Sequence, residues 1–170
     1  MPEGCEKMSK QGDAAYAWFL KGYNCSQSVV AAFAPQLGLT EEMALRLSAG
    51  FGAGIGRMRE VCGAFFGVVT VLSMVYADPA DPKDKSRMYA LVQQTAEQYR
   101  SRNGGGSIIC RELLAKAGAA PTGGTAAEDR TADYYKKRPC PELCRLCADL
   151  CTEFIAAHPE GRHGFYKEEV

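Results

Sequence analysis

Apolar residues recur at intervals of three and four along most of this chain, which is the spacing of one face of an α-helix. Strict alternation of apolar and polar residues, the pattern of a half-buried β-strand, forms no convincing run. The predicted helices cover 13–21, 25–38, a stretch from 41 toward the glycines at 50, then 61–77, 83–102, 107–118 and 141–157. We therefore predict an all-α fold, a compact bundle of about six or seven helices.

The most apolar stretch of the chain is 61–77, which carries no charged residue. About 20 consecutive apolar residues are needed to span a bilayer, so this shorter, glycine-containing run predicts a central buried helix and no membrane span. Gly63 and Gly67 lie four residues apart and would let another helix approach closely, within the monomer or in a homodimer. The length of 170 residues favours a single domain over 1–170, with a core at 14–155 and a polar tail at 156–170.

Several helix starts are marked by capping residues. We expect the first helix to begin after Gly12 or Asp13. Asn24 followed three residues later by Gln27 has the spacing of a capping box, and Ser107 has the position of an N-cap. Residues 119–127, rich in glycine, alanine and threonine, form the clearest predicted loop.

Composition narrows the function classes. Lysine and arginine total 20, as do aspartate and glutamate, so the net charge gives no reason to expect a nucleic-acid or membrane-surface partner. The polar amino terminus lacks the apolar segment of a secretory signal, which predicts a cytoplasmic location. In a reducing compartment the eight cysteines are expected to be metal ligands, redox thiols or buried packing residues.

Four of the cysteines fall at the start of a predicted helix: Cys25, Cys62, Cys110 and Cys140. Unpaired N–H groups and the helix dipole stabilise a thiolate at such positions and lower its pKa. If these helix ends converge, they supply either a four-thiolate metal site or two thiol pairs. The alternative is that small cysteines are simply tolerated near helix caps.

Glycine occupies alternate positions at 50, 52, 54 and 56, shortly before Cys62. This segment lacks the Lys-Ser or Lys-Thr ending of a phosphate-binding loop, so a nucleotide site is not indicated. Glycine permits a partly left-handed connection whose amides, with Arg57 and Arg59, could face a thiolate; the alternative is a close-packed turn with solvated arginines. The residues expected around the cysteines are Asn24, Gln27, Gly54, Gly56, Arg57 and Gly63.

The last helix carries Cys140, Cys144, Cys147 and Cys151 at steps of four, three and four, which places them on one face. We interpret Cys151, and less directly Cys147, as part of the core face. The CxxxCxxC spacing within this helix also occurs in radical S-adenosylmethionine enzymes. There the ligands lie on a loop, whereas here about 10 Å of helical rise separates the outer two, which argues against a shared cluster.

The segments GYNCSQSVVAAF, GFGAGIGRMREVCGAFFG and GSIICRELL, followed by a cysteine opening the last helix, resemble the C_GCAxxG_C_C family of redox proteins. The resemblance covers roughly residues 14–155. It implies a small helical protein whose four characteristic cysteines are redox-active or bind a metal or iron–sulfur centre, often encoded near transporters. The family's cysteines fall on Cys25, Cys62, Cys110 and Cys140. This chain has Cys-Gly-Ala where the family name has Gly-Cys-Ala, and Cys144 is the alternative fourth residue.

The leading hypothesis is an oxidoreductase or electron-transfer protein whose four cysteines cycle between dithiol and disulfide or hold an iron–sulfur cluster or zinc. Its partner would be a redox protein or a small-molecule electron donor or acceptor. Two alternatives stay open: a structural four-thiolate zinc clip whose function lies in partner binding, and a transporter-associated binding module whose cysteines fill the core. No set of serine, histidine and aspartate suggests a hydrolase.

Overall fold

The computed structural model describes residues 8–168, and this part of the chain is entirely helical apart from its loops and one isolated bridge. Its elements are α1 (Lys10–Leu20), α2 (Cys25–Ala32), α3 (Glu41–Ser48), a 3-10 turn (Ala49–Phe51), α4 (Gly63–Tyr76), α5 (Lys85–Arg102), α6 (Cys110–Lys116), α7 (Ala132–Lys137) and α8 (Cys140–Ala157). The all-α prediction is confirmed, with eight α-helices in the described residues. The helix not anticipated as a separate element is the short α7. Cys5 lies outside the described residues.

The predicted central helix corresponds to α4, which is buried along most of its length. It packs against α2, α5 and α8, while α8 also contacts α1 and α2. Gly67 allows the close approach of α2, because a Cβ atom there would lie 2.5 Å from the Cβ of Val29. Gly67 therefore allows a helix contact within the monomer, which was one of the two roles expected for Gly63 and Gly67. No helix in the range 8–168 is both long and apolar enough to cross a membrane.

Helix α1 begins at Lys10, earlier than the sequence predicted. Ser9 caps it by accepting a hydrogen bond from the Gly12 amide at 2.8 Å. Gly12 lies inside α1 at the point where α8 passes close by. A Cβ atom at Gly12 would lie 2.3 Å from the Asp149 carboxylate, so a side chain there would collide with α8. The glycine therefore marks a helix contact and not a helix boundary.

The segment after α8 packs against the body of the protein. The amides of His163 and Gly164 donate to the Val75 carbonyl, each at 3.0 Å, and the Lys167 amide donates to Gln36 at 2.9 Å. Tyr166 packs against the main hydrophobic core. The polar tail thus closes the carboxyl end of α4, far along that helix from Cys62.

Candidate functional site

The four helix-start cysteines meet in the folded chain. Cys25, Cys110 and Cys140 are the first residues of α2, α6 and α8, and Cys62 immediately precedes α4. All four line one small cavity, together with Gly63, Leu113, Leu114, Pro139 and Leu143. Cys140 is partly exposed, whereas the other three cysteines are each less than one-tenth exposed. The helix ends therefore converge as expected, while the chemical roles of these cysteines stay predictions.

Cys25 owes its position to the capping box at the start of α2. The Asn24 side chain accepts the Gln27 amide at 3.0 Å, and the Gln27 side chain accepts the Asn24 amide at 3.2 Å. The side-chain NH2 group of Asn24 donates to the Ala49 carbonyl at 2.9 Å, and that of Gln27 donates to the Leu45 carbonyl at 3.1 Å. Asn24 and Gln27, which we expected beside the cysteines, thus fix the helix end and attach it to α3 and the turn that follows.

An isolated antiparallel bridge between Val61 and Ile109 holds Cys62 and Cys110 at the cavity. The Cys62 amide donates to the Ile108 carbonyl at 2.7 Å, and the Cys110 amide donates to Glu60 at 2.6 Å. Two helix ends that are distant in sequence are therefore joined by backbone hydrogen bonds directly at their cysteines. Ser107 does not cap α6: its hydroxyl accepts the Ile109 amide at 2.9 Å, inside the preceding turn.

The alternating glycines form a left-handed turn, which confirms the predicted backbone. Residues 53–57 have five consecutive positive φ angles: 54° at Ala53, 74° at Gly54, 61° at Ile55, 52° at Gly56 and 65° at Arg57. The left-handed conformation costs roughly 1–2 kcal/mol for each residue with a Cβ atom, so the glycines limit the strain. The turn carries the Ala53 amide to the Cys25 sulfur, to which it donates a hydrogen bond.

Gly54 is the glycine in closest contact with the site. A Cβ atom at this position would lie 2.7 Å from the Cβ of Cys110 and 2.7 Å from the backbone Cα of Arg59. Gly63 is restricted by a neighbouring loop, since its Cβ would lie 2.8 Å from the Phe51 carbonyl oxygen. Gly56, by contrast, lies in open space, with the nearest atom at 3.9 Å. Of the predicted glycines, Gly54 and Gly63 contribute close packing at the site and Gly56 contributes only its conformation.

Of the two arginines of this turn, both expected as candidates to face a thiolate, one reaches a sulfur and the other does not. Arg57, expected to face a thiolate, instead donates to the carbonyl of Gly124 at 3.1 Å and pairs with Glu128 at 3.2 Å. Arg59 is the arginine that reaches a sulfur: its guanidinium donates to Cys110 at 3.8 Å and to the Thr122 carbonyl at 2.9 Å. Both side chains are largely buried, so they are not solvated, and they hold the 119–127 loop over the site.

The charge at the site is concentrated on Cys25. Hydrogen bonds from the thiols of Cys140 and Cys144 hold the pKa of Cys25 well below its ordinary value, against the effect of burial. The positive charge of Arg130 and the Ala53 amide act in the same direction. These contacts favour the thiolate at Cys25 and the neutral thiol at Cys140 and Cys144, whose pKa values are raised.

The other helix-start cysteines do not follow the prediction of a lowered pKa. Burial, followed by the nearby Cys25 charge, raises the pKa of Cys62 to about 12. Burial and the same charge also raise the pKa of Cys110. The pKa of Cys140 is raised well above its ordinary value, first by its hydrogen bond to Cys25 and then by burial. Loss of solvation outweighs the helix dipole at Cys62 and Cys110, and the hydrogen bond to Cys25 together with burial outweighs it at Cys140.

Two contacts to the sulfurs come from residues that sequence reasoning missed. The Tyr99 hydroxyl, fully buried on α5, donates to the Cys62 sulfur at 3.4 Å. The Cys144 thiol lies 3.7 Å from the Cys25 carbonyl oxygen and also reaches the Cys25 sulfur. Tyr99 follows the apolar face of the predicted helix at 83–102, a pattern that indicates burial but not which sulfur it meets. Cys147 and Cys151 are fully buried in the core, as predicted.

The site in this form does not suit a metal ion. Within residues 8–168 no group of three or more histidine, cysteine, aspartate or glutamate side chains is arranged to hold one. The cavity volume is about 10 Å³, which is space for roughly one water molecule. The iron–sulfur and zinc assignments stay predictions.

The raised thiol pKa values predict a loss of stability at alkaline pH. Above pH 9.0, the ordinary thiol pKa, Cys62 ionises in the unfolded chain but stays neutral in the folded chain, where its pKa is about 12. The contribution of this thiol to the free energy of unfolding is therefore complete below pH 9.0 and is lost as the pH rises toward about 12. We expect urea unfolding to give a free energy lower by a few kcal/mol at about pH 10.5 than at about pH 7.5. Cys62→Ala should show a smaller difference. Equal free energies at both pH values would contradict this environment for the thiols.

Comparison with known proteins identifies a family that spans most of the chain. Residues 23–154 match the model of the family described as "Putative redox-active protein (C_GCAxxG_C_C)". Neither the curated proteins nor the solved structures yielded a match. The matched range includes all four helix-start cysteines and most of the chain. The chain therefore belongs to the C_GCAxxG_C_C family.

Proposed function

We propose that this chain is a thiol–disulfide redox protein in which Cys25 is the nucleophile and Cys140 the resolving cysteine. The observation that carries the proposal is that Cys25 and Cys140 line the same small cavity, where the pKa of Cys25 is lowered and that of Cys140 is raised. Thiolates, and not thiols, attack disulfides. We assign the resolving role to Cys140 because this residue lies beside Cys25 and, of the four helix-start cysteines, is the one that is partly exposed.

The reaction has two exchange steps. The Cys25 thiolate attacks one sulfur of a substrate disulfide, forming a mixed disulfide and releasing the other half as a thiolate. Cys140 then loses its proton to the released thiolate and attacks the Cys25 sulfur. The second half of the substrate leaves as a thiolate, and a Cys25–Cys140 disulfide forms. The substrate gains two electrons, the protein loses two electrons, and a dithiol donor in a separate reaction reverses the change.

The neighbouring groups support this chemistry by holding charge on sulfur. Arg130 and the Ala53 amide favour the Cys25 thiolate before attack and again when Cys25 is released. A thiolate that is stable is also a good leaving group, which assists reduction of the protein disulfide. Cys62 and Cys110 also line the cavity, as neutral thiols. Cys62 accepts a hydrogen bond from Tyr99, and Cys110 accepts one from Arg59.

Access to the site favours a substrate that approaches beside Cys140. A surface pocket of about 560 Å³ adjoins the cysteines through Ala119 and Arg138. Ala119 packs in the same cluster as Cys110 and Cys140. The pocket is large enough for a small-molecule disulfide or a peptide segment of a protein partner, so both substrate classes belong to the proposal.

The test is to trap the mixed disulfide. Because Cys140 and Cys144 both lie beside Cys25, both thiols must be removed: we expect the double variant Cys140→Ser/Cys144→Ser to keep one half of a small disulfide such as 2-hydroxyethyl disulfide bound at Cys25. Peptide mapping by mass spectrometry would locate the adduct. Cys151→Ser, which alters a fully buried cysteine of the same helix outside the cavity, is the control and should release the adduct as wild type does. An adduct on another cysteine, or none, would overturn the proposal.

Metal analysis of protein purified without oxygen separates this proposal from the cluster and zinc predictions. Our account predicts that metal-free, reduced protein performs the exchange at full rate. If reactivity required iron with sulfide, or zinc, in stoichiometric amount, the dithiol proposal would be wrong. The experiment does not depend on any variant folding correctly.

A further inference from the structure

Cys25 contacts two thiols of α8, and only one of them is needed for the proposed reaction. We infer that Cys144 is a second resolving cysteine, which takes over the disulfide from Cys140 and moves it into the core. This inference rests on the proposed function, since it requires that Cys25 forms a disulfide. It assigns a role to a cysteine that the four-cysteine family pattern does not include.

The geometry of α8 brings both thiols to the same sulfur. Cys140 and Cys144 are one helical turn apart and therefore lie on the same face, about 6 Å apart along the axis. Cys140 lines the same small cavity as Cys25, and both α8 thiols are close enough to the Cys25 sulfur to lower its pKa. The Cys144 sulfur lies 3.7 Å from the Cys25 carbonyl oxygen, which places it directly over the first residue of α2.

The two thiols differ in their exposure to solvent. Cys140 is partly exposed at the end of α8, whereas Cys144 is 0% exposed. Cys147 and Cys151 are equally buried further along the helix, but the hydrogen bonds to Cys25 come from Cys140 and Cys144. Cys25 therefore lies between one outer and one inner thiol.

The step is an isomerisation that balances internally. With the Cys25–Cys140 disulfide formed, Cys144 gives up its proton and attacks the Cys25 sulfur. The Cys25–Cys140 bond breaks, the Cys25–Cys144 bond forms, and Cys140 leaves as a thiolate that takes up the proton. One disulfide replaces another, so the number of electrons in the protein is unchanged and no further oxidant or reductant is consumed.

The consequence is an oxidised form that is shielded from external thiols. The Cys25–Cys144 disulfide lies behind Cys140, and the freed Cys140 thiol occupies the exposed position. We expect dithiothreitol to reduce the inner disulfide at least about tenfold more slowly than the outer one, because attack on a disulfide depends on access to sulfur.

Disulfide mapping tests this inference. The full chain is oxidised with one equivalent of diamide, free thiols are blocked at low pH with N-ethylmaleimide, and linkages are mapped by mass spectrometry. We expect both linkages in wild type, only Cys25–Cys144 in Cys140→Ala, and only Cys25–Cys140 in Cys144→Ala. The matched control is Cys147→Ala, a buried neighbour on the same helix, which should give the wild-type pattern.

Failure of the inference and failure of the proposed function give different results. A Cys25–Cys140 disulfide in wild type, with Cys25–Cys144 absent from both wild type and Cys140→Ala, would overturn the inference and leave the proposed function standing. Wild type with Cys25 in no disulfide would overturn both. The wild-type map decides the matter even if a variant fails to fold.

Discussion

Replacing Cys25 by alanine is expected to slow reaction with a disulfide reagent at least about 100-fold at pH 7. Cys25 is the described cysteine whose pKa is lowered, whereas burial raises the pKa of Cys62 and Cys110. An ordinary thiol with a pKa of about 8.5 is only about 3% ionised at pH 7, and a raised pKa leaves still less thiolate. The measurement is the rate of thiolate release from the disulfide reagent 5,5′-dithiobis(2-nitrobenzoate) under pseudo-first-order conditions.

The pH dependence of the wild-type rate provides an independent check. Because the pKa of Cys25 lies well below its ordinary value, the rate of the fast phase should rise less steeply between about pH 7 and pH 9 than that of an ordinary thiol. An ordinary thiol would react up to about tenfold faster for each pH unit below its pKa. Cys151→Ala is the folding control and should retain the fast phase. A fast phase that survives in Cys25→Ala would assign the nucleophile to another residue.

Gly54→Ala is expected to lower the free energy of unfolding by about 2–4 kcal/mol. The residue has a φ of 74°, which a side chain disfavours, and the added Cβ would lie 2.7 Å from both the Arg59 Cα and the Cys110 Cβ. Backbone atoms cannot rotate away, so the left-handed turn must shift and displace Cys110. We expect a lower midpoint in urea unfolding and altered alkylation of Cys110.

Gly56→Ala is the matched control for this variant. Gly56 has a φ of 52° in the same turn, but its added Cβ would find the nearest atom, the Gly50 carbonyl oxygen, at 3.9 Å. Gly56→Ala should therefore lose only the free energy of placing a side chain in the left-handed conformation, about 1 kcal/mol. Equal losses in the two variants would show that close packing at Gly54 contributes nothing, contrary to the geometry described above.

The sequence predicted the positions of the cysteines well because helix starts follow local rules. The capping box of Asn24 and Gln27 depends on residues three apart, and the Cys140 helix start is marked by the adjacent Pro141. A shared thiol or metal site requires the four helix ends to converge, and the sequence alone expresses this only as a requirement. The Val61 and Ile109 bridge that brings two of them together carries no local signal, since it joins segments 48 positions apart.

The chemistry of the individual sulfurs could not be predicted in the same way. The helix-start argument assigns the same lowered pKa to four cysteines, but solvation and neighbouring thiols depend on tertiary packing. The pKa of Cys25 is lowered by two α8 thiols, whereas Cys62 is buried beside Cys25 and its pKa is raised. The sequence likewise offered both Arg57 and Arg59, and the folded turn places Arg59 at Cys110 and Arg57 at Glu128.

The central claim is that Cys25 cycles reversibly between a thiolate and a disulfide with a cysteine of α8. The most direct measurement is an anaerobic redox titration of wild-type protein in dithiothreitol buffers, with thiols blocked at each potential and linkages mapped by mass spectrometry. Our account predicts one reversible two-electron transition, in which Cys25 becomes linked to Cys140 or Cys144. If Cys25 stays available to alkylation at every potential, the account is wrong.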